Sequence, residues 1–221
     1  MLGRVMKTLE LAALGPVIPV IVIDDVERAV PLALALVAGG VRVLEVTLRT
    51  SAALACIEAI AKHAPEAIVG AGTVRTSDEA RAASAAGARF AVSPGLTERV
   101  AKACEELALP LLPGVSTASE LMMAGEMGFS FVKLFPASVV GGVELLKAFA
   151  SPFRGTVFCP TGGITAQSAP DYLALPNVAV VGGSWLTPGD AVRSGDWTRI
   201  TKLAKESTQY SRAFLLSKPN P

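Results

Sequence analysis

Two residues of this chain stand where charge is expensive. Lys133 sits inside the apolar run FSFVKLFPA, residues 129–137, and Glu45 inside VRVLEVT, residues 41–47. Lysine and glutamate are almost never buried unless paired. On the structural reading, Lys133 is a strand-end side chain whose stem covers apolar surface while its ammonium reaches water. On the chemical reading it is a nucleophile, because desolvation disfavours the charged form of an amine and a neutral amine condenses with a ketone. The resulting protonated imine withdraws electrons strongly enough to make or break a neighbouring carbon–carbon bond. Such chemistry needs a base for a hydroxyl proton, and Glu45 fits, acting directly or through a water. Its structural alternative is an ion pair with Arg42 or Arg49.

A second set of residues has the texture of a ligand cradle. Arg49 follows LEVTL, where a guanidinium can grip a carboxylate through two parallel hydrogen bonds or simply lie solvated on the surface. Thr73 ends VGAGT and offers a hydroxyl to the same carboxylate. TGGIT, with Thr161, Gly162 and Gly163, and GGSWL, with Gly182, Gly183 and Ser184, each place glycines after an apolar run. Glycines let backbone N–H groups approach phosphate oxygens, and the hydroxyl of Ser184 adds a donor. One such pair is usually a tight turn; two are better evidence. Metal chemistry is not expected, because His63 is the sole histidine, and zinc-dependent aldol cleavage normally needs several imidazoles.

The elements that must position these groups alternate regularly. Strand-like runs begin at Val17, Val41, Ala67, Arg89, Pro110, Ser130, Thr156 and Asn177, and helical patterns begin at Asp25, Ser51, Thr76, Thr97 and Thr117. Repeated strand–helix order without a hairpin signal indicates a parallel sheet built from βαβ units. Gly40, Gly87 and Gly128 each close a helix and introduce a strand in the same phase, a weak internal repeat. Eight evenly spaced units predict an α/β fold of the (β/α)8 TIM-barrel type, with an open doubly wound sheet as the alternative. MLGRVMKTLELAAL predicts a short leading helix rather than a signal peptide. Residues 1–221 are expected to form a single domain, with 207–221 as a partly ordered tail.

Strand alternation puts Val43, Glu45 and Thr47 on one face and Phe131, Lys133 and Phe135 on one face. If that face met the helices, two charges would be buried between layers, so the inward face is the expectation. In a closed barrel the second and sixth strands share a layer, and Lys133 and Glu45 then look at each other across the mouth.

The formal charge of +1 leaves no field to hold nucleic acid or an anionic membrane. The longest apolar stretch, residues 29–41, is shorter than the ~20 residues of a membrane span. Cys56, Cys104 and Cys159 are odd in number and widely spaced, which suggests neither a disulfide framework nor a zinc knuckle and reads as cytoplasmic. A small neutral or mildly anionic ligand is the expected partner.

VRVLEVTLRT from Val41, VGAGTV from Val69, FAVSPGLT from Phe90, LPGVST from Leu112, FVKLFPA from Phe131, FCPTGGI from Phe158 and VGGSWL from Val181 together resemble the 2-keto-3-deoxy-6-phosphogluconate (KDPG) aldolases, which also act as 4-hydroxy-2-oxoglutarate (KHG) aldolases. The resemblance runs from about Pro16 to Lys205. It implies that Lys133 is the Schiff-base lysine and Glu45 the proton carrier, and that Arg49 and Thr73 hold the keto-acid carboxylate. It also implies that Pro94 and Phe135 form apolar walls near the pyruvyl end, and that Thr161, Gly162, Gly163 and Ser184 meet the phosphorylated end. It further implies a homotrimer of (β/α)8 barrels using no cofactor beyond the covalent imine on Lys133. A related phosphogalactonate aldolase, and a phosphate-binding barrel isomerase without a covalent imine, are the alternatives. The segment ASVV, residues 137–140, is the least typical part.

Overall fold

A computed structural model describes residues 8–216. The helices are α1 (Thr8–Ala13), α2 (Val26–Ala38), α3 (Ala53–His63), α4 (Ser77–Ala85), α5 (Glu98–Glu106), α6 (Ala118–Glu126), α7 (Gly142–Phe149), α8 (Ala169–Leu173), α9 (Gly189–Ser194), α10 (Trp197–Ser207) and α11 (Ala213–Leu216). The strands are β1 (Val17–Ile21), β2 (Val43–Thr47), β3 (Ile68–Gly72), β4 (Ala91–Val92), β5 (Leu111–Leu112), β6 (Gly114–Val115), β7 (Phe131–Leu134), β8 (Val157–Pro160) and β9 (Val181–Gly183). Every strand pairing is parallel, as the alternating pattern predicts.

Six strands pair in the order β5-β4-β3-β2-β1-β9 and three in the order β6-β7-β8. The expected fifth strand is cut in two at Pro113, which has no N–H to offer a ladder. Its first half pairs with β4 and its second with β7, while the Pro113 carbonyl accepts from the Lys133 N–H at 2.8 Å. Parallel bridges between Phe158 and Val178 and between Thr161 and Gly182 join the β8 region to the β9 region.

Local chemistry sets the helix ends. Asp25, Thr76, Thr97 and Thr117 each accept an N–H of the first turn, and Thr117 and Glu120 form a reciprocal capping box. Gly40, Gly87 and Gly128 have φ of +90°, +89° and +83°, the left-handed conformation that closes a helix before the next strand. The helix expected from Ser51 instead begins at Ala53 without a side-chain cap, and the neighbouring Thr50 hydroxyl is spent on the Ile23 carbonyl at 2.6 Å.

Apolar burial separates into two clusters. Leu44, Val46, Val132 and Leu134 point outward into a layer shared with Leu32, Leu36, Ile57 and Leu146 of the helices. Val43, Ile68, Phe90, Leu112, Phe131 and Val180 point the other way into an inner cluster, which Leu11 and Ala12 of α1 join. The leading helix therefore has packing partners of its own; residues 1–7 and 217–221 lie outside the described residues. Near the C-terminus, the Arg212 guanidinium reaches back to the carbonyls of Ala12, Ala13 and Gly15.

Candidate active site

Lys133 and Glu45 each stand two residues beyond an inner-cluster residue, Phe131 and Val43, so alternation turns both inward as expected. Their backbones are pinned by pairing on both sides. Glu45 stands against Val20 and Gly70, and Lys133 against Gly114 and Cys159. The Lys133 Nζ lies 3.5 Å from the Glu45 Oε1, and both residues are only 3% exposed. The Phe135 ring centroid is 5.1 Å from the same nitrogen, within cation–π range.

These distances remove the structural alternative given for each residue. The Lys133 ammonium does not reach water at a strand end. Neither arginine pairs with Glu45, because the Arg42 Nε donates to the Glu66 carbonyl and the Arg49 Nε to the Thr73 Oγ1, both at 3.1 Å. Taking two charges out of water costs several kcal/mol per ion and is repaid only by excellent geometry. At 3.5 Å the contact is longer than the ~2.7–2.9 Å of a strong charge-assisted hydrogen bond.

Cys159, in register with Lys133, is 2% exposed. Burial pushes its thiol up to about 12, against the opposing pull of Lys133 and Thr161. It therefore stays a protonated, unreactive thiol.

The other candidates follow the carboxyl ends of the strands, the end of a parallel α/β sheet where ligands collect. Exposed Arg49 follows β2 and half-buried Thr73 follows β3. Thr73 has φ +61°, uncommon for a β-branched residue, and its hydroxyl accepts the Arg49 Nε bond. That bond takes the Nε of the guanidinium. Pro94 follows β4 and is half-buried. Thr161 follows β8 and is bridged to Gly182, while Gly162 passes so close to Pro136 and Phe135 that a Cβ there would lie 3.2 Å from the Pro136 Cα. Exposed Ser184 follows β9.

Packing also accounts for the pair Gly182 and Gly183: a Cβ at 182 would enter the Thr161 side chain, and one at 183 would enter the Trp185 indole. Sequence reasoning missed Ser116, whose hydroxyl donates to the Phe135 carbonyl at 2.5 Å and whose N–H donates to Glu120. The small-residue run LPGVST was its only signal. A separate groove, lined by Lys102, Leu109, Met123, Met127 and Phe129, opens at the amino ends of β5 and β7, and none of the candidates lines it. Among the described residues, no three of His, Cys, Asp or Glu group as metal ligands, and no helix is long and apolar enough to cross a membrane. His63 is exposed at the end of α3.

A parallel α/β sheet that holds an amine and a carboxyl in contact away from water, with small-residue loops at its carboxyl end, defines a class: α/β enzymes equipped for imine chemistry on a small carbonyl compound. Residues 9–203 match the family model described as KDPG and KHG aldolase. The chain belongs to that family. It is 57% identical to the KHG/KDPG aldolase of Escherichia coli K12 over 195 residues, 88% of this chain and 92% of that one. Among solved structures it is similar to the KDPG aldolase of Legionella pneumophila with pyruvate captured as a covalent carbinolamine intermediate, at TM-score 0.90, 46% identity and coverage of 92% of this chain and 99% of that one. It is also similar to the Zymomonas mobilis ZM4 enzyme with 3-phosphoglycerate, at TM-score 0.88, 46% identity and coverage of 95% and 99%.

Proposed function

We propose that this chain is a class I aldolase that cleaves KDPG to pyruvate and glyceraldehyde 3-phosphate, and KHG to pyruvate and glyoxylate, through an imine on Lys133. The observation that carries the reading is the Lys133–Glu45 contact, 3.5 Å across at 3% exposure. The carbinolamine captured in the Legionella pneumophila relative supports the covalent route.

The Lys133 amine adds to the C2 carbonyl, and loss of water gives a protonated imine. Glu45 takes the C4 hydroxyl proton, directly or through a water. The electrons of the C3–C4 bond then flow into the imine, the aldehyde departs and an enamine of pyruvate remains. Glu45 returns a proton to C3, and water hydrolyses the imine to release pyruvate and restore the amine. Arg49 and Thr73 hold the substrate carboxylate. Phe135 and Pro94 wall the pyruvyl end, and Thr161 to Gly163, Gly182, Gly183 and Ser184 receive the far end, phosphorylated in KDPG. No metal or further cofactor enters these steps.

The finer architecture belongs to the same proposal: the strands close into a (β/α)8 barrel, β5 and β6 counting as one, within a single domain. Continuous pairing from β9 through β1 to β5, the β6-β7-β8 pairing and the Thr161–Gly182 bridge support closure. Assembly as a homotrimer rests on the family resemblance and a cytoplasmic location on the number and spacing of the cysteines, and light scattering of the purified protein tests the first.

Borohydride reduction in the presence of pyruvate is the deciding experiment. A reduced pyruvyl adduct on the peptide carrying Lys133 is expected. An intact Lys133 peptide after borohydride and pyruvate refutes the scheme, and an absence of KDPG and KHG cleavage beside it favours an isomerase that uses acid and base alone. Comparison of kcat/KM on KDPG, KHG and the phosphogalactonate analogue ranks the substrates.

A further inference from the structure

The inner face of β3 carries almost no side chains. Ile68 belongs to the inner cluster, so Gly70 and Gly72 face the same way. Each vacancy is filled by a neighbouring side chain, Phe90 just before β4 and Glu45 of β2. A Cβ at Gly70 would enter the ring of Phe90, and a Cβ at Gly72 would meet Glu45: its Oε1 nearest, then its Cγ at 2.6 Å and its Cδ at 2.8 Å. Those three Glu45 atoms are the nearest to the Gly72 position, so the seat is specific to this carboxyl. Strand register places Glu45 opposite Gly70 and Thr47 opposite Gly72. The Glu45 side chain therefore leans along β3 toward the carboxyl end, where a ligand would enter. Gly72 is not among the residues of positive φ, so its backbone makes no demand for glycine.

We infer that Gly72 is a positioning residue for the reaction: the side chain it lacks is the seat of the Glu45 carboxyl, holding it against Lys133 and above the carbon that gains and loses a proton. The inference rests on the reading of Glu45 as proton carrier and deepens it. A methyl at position 72 pushes against the far end of a flexible side chain, not against backbone. The chain yields by moving Glu45, and the damage falls on proton transfer while the fold survives.

The test is a double-mutant cycle with Gly72→Ala, Glu45→Gln and their combination, read out by cleavage kinetics, by deuterium exchange into the methyl group of pyruvate and by borohydride trapping. Gly72→Ala is expected to slow both cleavage and methyl exchange at least about tenfold, part of the ~10²–10⁴-fold that a positioned proton carrier supplies. The Lys133 adduct with pyruvate should still form, because the amine is not displaced. In the Glu45→Gln background the same substitution should change kcat less than about twofold, since there is no proton carrier left to misplace. Full methyl exchange in Gly72→Ala, or an equal loss in both backgrounds, overturns the role of Gly72. Unaltered cleavage and exchange in Glu45→Gln overturns the proton-carrier reading instead, so the two failures are distinct. Should Gly72→Ala alone not fold, adding Glu45→Ala empties the seat and should restore the fold. A double variant that stays unfolded refutes the inference, because the methyl then collides with something other than Glu45.

Discussion

Replacing Arg212 by alanine should destabilise the protein by several degrees without touching its chemistry. Its Nη1 donates to the Ala12 carbonyl at 2.7 Å and to that of Gly15 at 3.1 Å, and its Nη2 to that of Ala13 at 3.3 Å. These oxygens lie at the C-terminus of α1, where helical carbonyls lack partners within the helix and a cation is favoured. With six residues α1 cannot hold itself. Hydrogen bonds from a charged donor contribute about 1.5–3 kcal/mol each. Arg212 is half-buried, so water replaces much of what is lost at the two longer bonds, and a total of about 2–4 kcal/mol is expected. For a chain of this size about 1 kcal/mol moves the midpoint by about 2–4 °C, giving a drop of about 4–16 °C for Arg212→Ala. Arg212→Lys, with one donor point in place of a fork, should fall between. Scanning calorimetry checks the size, and hydrogen exchange at the α1 amides checks the place. The bonded carbonyls precede or adjoin the amino end of β1, away from Lys133, so kcat/KM at 25 °C should be unchanged. A midpoint within about 1 °C of the parent, or protected α1 amides in Arg212→Ala, would refute the clamp.

Arg49→Lys should raise KM for keto-acid substrates by about 10–100-fold with a smaller change in kcat, because one ammonium cannot both keep the Thr73 contact and fork onto a carboxylate; unchanged KM in steady-state kinetics argues against that assignment. The three thiols are all buried, and burial pushes Cys56 and Cys104 to about 11 and Cys159 to about 12 from an ordinary 9.0. Raised folded-state values favour the protonated form, so the stability they contribute is full below about pH 9 and is lost as pH rises toward 11–12. Urea midpoints should fall above pH 9, and alkylation at pH 8.5 should proceed only with global unfolding; a thiol that reacts in the native state contradicts the placement.

Much of the site was legible because the sequence carries its anomalies in plain sight. A charge inside a β-branched run has few structural uses, and period-2 alternation sends Lys133 to the same face as Phe131, and Glu45 to the same face as Val43. Helix boundaries at Asp25, Thr76, Thr97 and Thr117 were legible for a local reason: a side chain that accepts a first-turn N–H acts within three residues of itself. The uncapped start of α3 at Ala53 was not legible, since Thr50 serves the Ile23 carbonyl in the loop after β1. The break at Pro113 needed knowledge of which neighbour each half of the strand would meet.

What the sequence by itself determined is therefore the alternation of parallel strands and helices, the inward direction of Lys133 and Glu45 and the type of chemistry an amine and a carboxyl can share. Those properties depend on residue type and on spacing along one element. Tertiary structure alone decided that the two groups meet at 3.5 Å, that Arg49 turns to Thr73 and not to Glu45, and that Gly72 and Gly182 are glycine because Glu45 and Thr161 occupy the space a side chain would need. The physical reason is that such contacts join residues dozens of positions apart, whose distance is fixed by strand register and by the packing of neighbouring side chains, and neither is written in the local pattern of either partner.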